Sequence, residues 1–241
     1  MKNEKSFLQD KVMTCPLCGE DFETKLVRPK ILKETVADFD LRPLHEGIDL
    51  LKYDVTMCRN CGYATLTEDF KPISGEQKEA VWKEVSRKYQ PDYNLLPVVF
   101  SYQDAIERYK YAMATVLAKK GSASEKAMIC LEMGWVFRGQ ADEMKQLHPE
   151  QKPERKKLRK QEMVCLKKAL DCFCKARKEE SFPIRNMDDN TLGYLIAALA
   201  FEVGEGELAR QELIRISERE DLTEELKDKI EELKKRILIE G

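Results

Sequence analysis

Two short turns constrain this chain more than any other feature: Cys15-Pro16-Leu17-Cys18-Gly19 and Cys58-Arg59-Asn60-Cys61-Gly62. Each has the form Cys-x-x-Cys-Gly, in which backbone N–H groups of the tight turn can donate to the thiolates while the glycine takes the positive-φ conformation that closes it. Two such turns supply four thiolates, and four thiolates suit one tetrahedral zinc ion. Cys15, Cys18, Cys58 and Cys61 are therefore the expected metal ligands. Because four cysteines fill the coordination sphere, no position is left for a catalytic water, and the expected Zn2+ is structural. Dithiol redox chemistry is the competing use of Cys-x-x-Cys, but it calls for a low-pKa thiol at a helix N-terminus in a βαβ context. Neither pair has that context.

The other four of the eight cysteines, Cys130, Cys165, Cys172 and Cys174, fall in helical sequence and read as small buried hydrophobes. A disulfide scaffold is typical of short secreted chains, whereas here half the cysteines have metal-type spacing over 241 residues, so a reducing compartment fits better. The first residues meet Asp10 and Lys11 before an apolar signal core forms. The longest apolar run, Tyr194 to Phe201, is too short to span a bilayer, and the expected location is the cytoplasm. With 42 basic and 44 acidic residues the net charge is -2, which offers no global attraction to nucleic acid or anionic lipid. His45 and His148 lie in loop-like sequence and read as ordinary histidines rather than ligands.

Residues 1–70 read as a zinc-ribbon-like module. Phe22 to Val27 alternates well enough for a strand stopped by Pro29, and Leu51 to Met57 alternates Leu51, Tyr53, Val55 and Met57 with Lys52, Asp54 and Thr56. The second run predicts a strand with one buried and one wet face, leading into the second knuckle. Between Cys18 and Cys58 lie 39 residues, against roughly fifteen to twenty in a compact four-cysteine site, so the ribbon carries an inserted loop around Val36 to Ile48.

Residues 74–241 read as helical. Ser74-Gly75-Glu76-Gln77 is a capping-box start for a helix reaching about Tyr89. Further starts stand at Ser101 and Ser122, with Pro91 and Pro97 bracketing a linker and Gly121 ending the second helix. The pattern Ala-x-x-x-bulky-x-x-small or apolar occurs at Ala105, Tyr109 and Ala112, at Ala169, Phe173 and Ala176, and at Ala209, Leu213 and Ile216. This resembles the second helix of a tetratricopeptide repeat, with Leu131 to Phe137 and Leu195 to Phe201 as first helices. The spacings of 64 and 40 residues depart from the roughly 34 of that repeat, so stacked hairpins are expected rather than a regular superhelix. A last helix, Thr223 to Ile239, carries Leu226, Ile230, Leu233 and Ile237 on one side, with Glu225/Lys229, Glu231/Lys235 and Glu232/Arg236 paired on its surface.

Cys-Pro-Leu-Cys-Gly near the start, Tyr53-Asp54-Val55 running into Cys58-Arg59-Asn60-Cys61-Gly62-Tyr63-Ala64, and Ser181-Phe182-Pro183 followed by Met187-Asp188-Asp189 together resemble a bacterial family, domain of unknown function 2225. The resemblance runs over most of the chain. It implies a cytoplasmic bacterial protein with paired cysteine knuckles and tetratricopeptide-like helices. It transfers no catalytic residue, and only the four cysteines map as ligands.

The fold class expected is thus mainly α, with a small zinc-ribbon-like module of short strands ahead of tetratricopeptide-like hairpins. There is no P-loop, no Gly-x-Gly-x-x-Gly after a strand, no His-Glu-x-x-His and no Gly-x-Ser-x-Gly, so no enzymatic activity is expected. The leading reading is a non-catalytic interaction or scaffold protein whose hairpins bind a protein or peptide partner, zinc being structural. A weaker alternative is nucleic-acid binding through the ribbon and the basic stretch Lys152, Arg155, Lys156, Lys157, Arg159, Lys160, Lys167 and Lys168, which has no interleaved aromatics for base stacking. A thiol redox enzyme ranks third.

Overall fold

A computed structural model describes residues 4–28, 36–91 and 94–240. The N-terminal part contains two antiparallel hairpins built to one plan, with a smaller ladder between them. Strand β1 (Leu8–Thr14) runs into the first cysteine turn and returns as β2 (Asp21–Val27), pairing from Leu8 with Val27 to Thr14 with Asp21. The inserted loop forms a short ladder of β3 (Val36–Ala37) and β4 (Pro43–Leu44). Strand β5 (Val55–Met57) then enters the second cysteine turn and leaves as β6 (Ala64–Leu66). The strand expected from Phe22 is thus β2. Pro29, expected to stop it, lies outside the described residues.

The strand expected from Leu51 to Met57 is shorter than its alternation implies. Leu50–Lys52 forms a 3-10 turn because the Asp49 carboxylate accepts from Leu51 N at 3.1 Å, and strand pairing begins only at Val55. Its expected wet face is also covered. Thr56 is buried, and Lys52 is buried with its ammonium 2.7 Å from Glu4. The pattern misled because the hairpin is packed on both sides, which removes the polar face that alternation presumes.

Seven α-helices follow among the described residues: α1 (Gly75–Glu84), α2 (Tyr102–Ala118), α3 (Ala123–Leu147), α4 (Lys152–Glu179), α5 (Asp189–Glu202), α6 (Gly206–Ser217) and α7 (Glu224–Glu240). The capping boxes at Ser74, Ser101 and Ser122 are all formed, each serine accepting from the N3 backbone while the N3 side chain reaches back. Helix α1 ends earlier than expected, and Ser86–Lys88 continues as a 3-10 turn that turns Tyr89 inward.

The helices pack in chain order, with α7 lying against α5 and α6. The three alanine-based triplets are buried at the helix contacts. Alanine there lets backbones approach closely while Tyr109, Phe173 and Leu213 fill the grooves. A tetratricopeptide arrangement is not established by this packing. Helices of 25 and 28 residues form one pair and helices of 14 and 12 the next, so no uniform hairpin repeats. On α7, Glu232 pairs with Arg236 as expected. Lys229 instead donates to the Ala37 and Asp38 carbonyls, and Glu231 takes Lys234.

The principal apolar cluster crosses from strands to helices, joining Leu51, Val55, Met57, Ala64 and Leu66 to residues of α2 through α6. The inserted loop is tied to the same body by charge. Arg138 of α3 lies 2.8 Å from Asp40 and 2.5 Å from Glu162, and the Trp135 indole N–H donates to Asp40 at 2.7 Å.

Behind β5 sits an acidic group that helical burial leaves poorly compensated. Tyr109 Oη lies 2.9 Å from the Glu132 carboxyl and 3.1 Å from the Leu51 carbonyl. Burial pushes Glu132 well above the carboxylate range, and a protonated Glu132 donating to Tyr109 frees the phenol to donate to Leu51. Asp54 is pushed up to about 6, mainly by burial and then by nearby Glu68. A carboxyl with a raised folded-state pKa holds its proton more tightly folded than unfolded. The structure is therefore penalised as pH rises from the unfolded range near 4 through about 6. Asp54→Asn is expected to raise unfolding free energy at pH 7 by about 1–3 kcal/mol. Urea titrations should show this gain shrinking as pH approaches 4.

Candidate metal centre

The two cysteine turns adopt the same backbone. Cys15 N donates to Glu20 O at 2.9 Å and Gly19 N to Cys15 O at 2.9 Å. In the second turn Cys58 N donates to Tyr63 O and Gly62 N to Cys58 O, both at 2.8 Å. Gly19 and Gly62 have φ of +79° and +74°, the left-handed conformation that closes each knuckle at no Cβ cost. Each turn is thus the tip of a hairpin, and the tips face each other.

This brings together all four predicted ligands. Cys15 Sγ lies 3.7 Å from Cys61 Sγ and Cys18 Sγ 3.8 Å from Cys58 Sγ. All four sulfurs lie within 4.8 Å of one another, and no other metal-type cluster occurs among the described residues. A tetrahedron of sulfurs around a metal at 2.3 Å has an edge of about 3.8 Å. A disulfide would need about 2.05 Å. The cysteines are free thiols at the separations a shared ion demands, and the cluster is compatible with a metal ion.

The surroundings favour anionic sulfur in a dry shell. Leu17 N donates to Cys15 Sγ at 3.4 Å, and N–H groups of Asn60 and Cys61 stabilise the Cys58 thiolate. Cys15, Cys58 and Cys61 are buried among Phe22, Tyr63, Val81 and Val85. Phe70 closes the shell, its ring centroid 5.7 Å from Phe22 and 5.4 Å from Tyr63. Thiols packed this closely do not ionise independently. Donation from Cys15 and Cys61 holds Cys58 well below the ordinary thiol range. Cys61, bonded to Cys15 and Cys58, and Cys15, bonded to Cys58, are pushed above it. Binding a cation would require those protons to leave.

The remaining cysteines stay apart from this centre. Cys130 and Cys165 are buried between α3 and α4, their thiols pushed up to about 12 and about 11 by burial, and Cys172 and Cys174 are half-buried on α4. Sequence reasoning missed the groups that fasten the second knuckle. Tyr89 covers Gly62, and Tyr63 carries the aromatic shell. Their signals were the Gly62-Tyr63-Ala64 continuation of the motif and a tyrosine two residues before Pro91.

The family model described as "Uncharacterized protein conserved in bacteria", domain of unknown function 2225, matches residues 8–237. The chain belongs to that family. Its match spans both cysteine hairpins and the helices through most of α7, so the centre and the helical body lie within one family unit. No curated protein and no solved structure is significantly similar to this family member.

The knuckles differ in tolerance. A Cβ on Gly62 would stand 2.6 Å from the Tyr89 ring, whereas one on Gly19 meets nothing within 4 Å. Gly19→Ala carries only the left-handed backbone cost of about 1–2 kcal/mol. Gly62→Ala adds displacement of Tyr89 and is expected to lower stability by roughly twice as much, which paired thermal melts will check.

Proposed function

We propose that Cys15, Cys18, Cys58 and Cys61 hold one structural zinc ion, and that the protein is a non-catalytic interaction protein whose helical hairpins dock a protein or peptide partner. The observation that carries the metal reading is the match of two sulfur separations, 3.7 and 3.8 Å, to a zinc–thiolate tetrahedron. A complete set of four thiolates leaves no place for substrate on the ion. Such a set also needs a reducing compartment, which favours the cytoplasm. No helix among the described residues is long and apolar enough to cross a membrane.

Support for partner binding comes from the surface beside the first knuckle. Leu17 and Trp82 line an open cavity with three cations, Lys78, Lys83 and Arg87, and one acid, Glu79, and Trp82 is 44% exposed. An aromatic anchor whose rim carries three cations against one acid fits an acidic amphipathic peptide. In this reading residues 1–70 form the zinc-stabilised part and 74–241 the main partner-binding part. The nucleic-acid alternative is weaker because Arg159 is held by Asp142 and Glu162, Lys167 by Asp171 and Glu205, and the sole aromatic of α4, Phe173, is buried.

Elemental analysis of protein purified without chelator is expected to find one zinc per chain. Iron, which also takes tetrahedral sulfur sites, would overturn the assignment. Cys18→Ser or a strong chelator should remove the ion and lower the melting temperature, with loss of retention beginning as acid returns protons to the thiolates. For the partner, capture from bacterial lysate with wild-type protein and with Trp82→Glu is the direct comparison. A protein retained by the first and lost by the second, with unchanged circular dichroism, supports the reading. Equal retention by both removes Trp82 from it, and recovery of nucleic acid with a steep salt dependence would favour the alternative.

A further inference from the structure

The three buried arginines are not equivalent. Arg42 lies 2.9 Å from Asp49 and Arg138 lies 2.8 Å from Asp40, as buried guanidinium groups require. Arg108, on the buried face of α2 and only 9% exposed, has no carboxylate within ion-pair distance among the described residues. Its Nη1 donates to the Val55 carbonyl at 3.3 Å, and its guanidinium lies 3.8 Å from the Phe100 ring centroid. One carbonyl and one ring face leave most of its five N–H donors without a protein acceptor. Burial pulls its pKa down to about 10.

Arg108 lines a cavity of about 480 Å³ between α2 and the second knuckle. That size falls within the roughly 300–1,000 Å³ of small-molecule sites. Arg59, the residue after Cys58, and Lys88 add two further cations, while Tyr89 and Tyr111 supply aromatic walls. Two acids also border it. Asp104 accepts from Ser101 N and Oγ through Oδ2 alone, at 2.8 and 2.7 Å, and is the carboxylate that acts most strongly on Arg108, while Glu107 is exposed. At the rim Lys88 lies 3.1 Å from Glu84 and Arg59 donates to the Asn94 carbonyl, whereas the most deeply buried cation, Arg108, forms no ion pair among the described residues.

We propose that this cavity binds an oxyanion group, phosphate or carboxylate, carried by a metabolite-sized molecule. Arg108 anchors the anion, Arg59 and Lys88 close on it from the rim, and the tyrosines pack the rest of the ligand. The stack on Phe100 orients the planar fork, which suits a bidentate oxyanion better than a point charge.

The test uses the full-length metal-loaded protein and the NMR signals of arginine Nε–Hε groups. Sodium pyrophosphate and sodium citrate are titrated separately against sodium chloride at matched ionic strength. A saturable shift of the Arg108 signal in one or both arms, absent with chloride, is expected, and the tighter arm identifies the oxyanion. Arg108→Gln should weaken binding at least about tenfold. Lys88→Glu, a substitution at an exposed side chain, should weaken it at least about fivefold and decides the matter if Arg108→Gln does not fold. Shifts that chloride reproduces, a silent Arg108 signal, or wild-type affinity in Lys88→Glu would overturn the proposal.

Discussion

The structure depends on the meeting of two hairpin tips. Four sulfurs from positions 15, 18, 58 and 61 lie within 4.8 Å of one another, although the chain between the two pairs makes a long excursion. Thiolates held this close repel one another, and uncharged thiols at this spacing gain only weak hydrogen bonds. A divalent cation turns the repulsion into the strongest local attraction. The aromatic and aliphatic shell of Phe22, Tyr63, Val81 and Val85 lowers the local dielectric, which sharpens both effects. The same shell brings α1 into contact with the centre, so the metal position and the start of the helical body are joined through packed side chains.

The second hairpin is held from the helical side by polar groups as well as by packing. Thr115 accepts from Ala64 N, Arg108 donates to Val55 O and Tyr109 contacts Leu51 O, all from one face of α2. These bonds satisfy main-chain groups that a short two-stranded ribbon cannot pair by itself. A helix face that would ordinarily be apolar therefore carries a threonine, an arginine and a tyrosine. Each has a backbone partner, which suffices for the threonine and the tyrosine, whereas the arginine keeps further donors that the backbone does not take up.

Much of this was legible in the sequence, for identifiable reasons. The cysteine knuckles announce themselves because metal coordination restricts both residue type and spacing. The three serine caps do so because each pairs with Gln77, Asp104 or Glu125 three residues on. What escaped were features set by long-range burial. Lys52 and Thr56 look like the wet side of a strand until the helices cover them. Strand β1 was not foreseen because Leu8–Thr14 is mostly exposed and owes its conformation to pairing with β2 rather than to an apolar face. Arg108 sits three positions from Ala105 and four from Ala112, within the apolar stripe. A charge at such a position was the available signal, and helical periodicity alone passes over it.

The two hairpins are alike in backbone and unlike in support, and this asymmetry defines what a bound metal would do mechanically. Strands β5 and β6 are buried along their whole length against α2, whereas β1 turns five of its seven residues to solvent. The second hairpin is thus part of the main core. The first is anchored by Phe7, Leu8 and Phe22 and by its two cysteines. A segment with few buried apolar contacts and an exposed ladder belongs to the low end of local stability. A cation shared between the knuckles would join that weak segment to the strong one at the tip farthest from the Phe7–Leu8 anchor, and the first hairpin would then be pinned at both ends. A metal ion in this position would act less on the helices than on the fluctuations of residues 8–27, and would hold Leu17 in register with Trp82 on the surface they share.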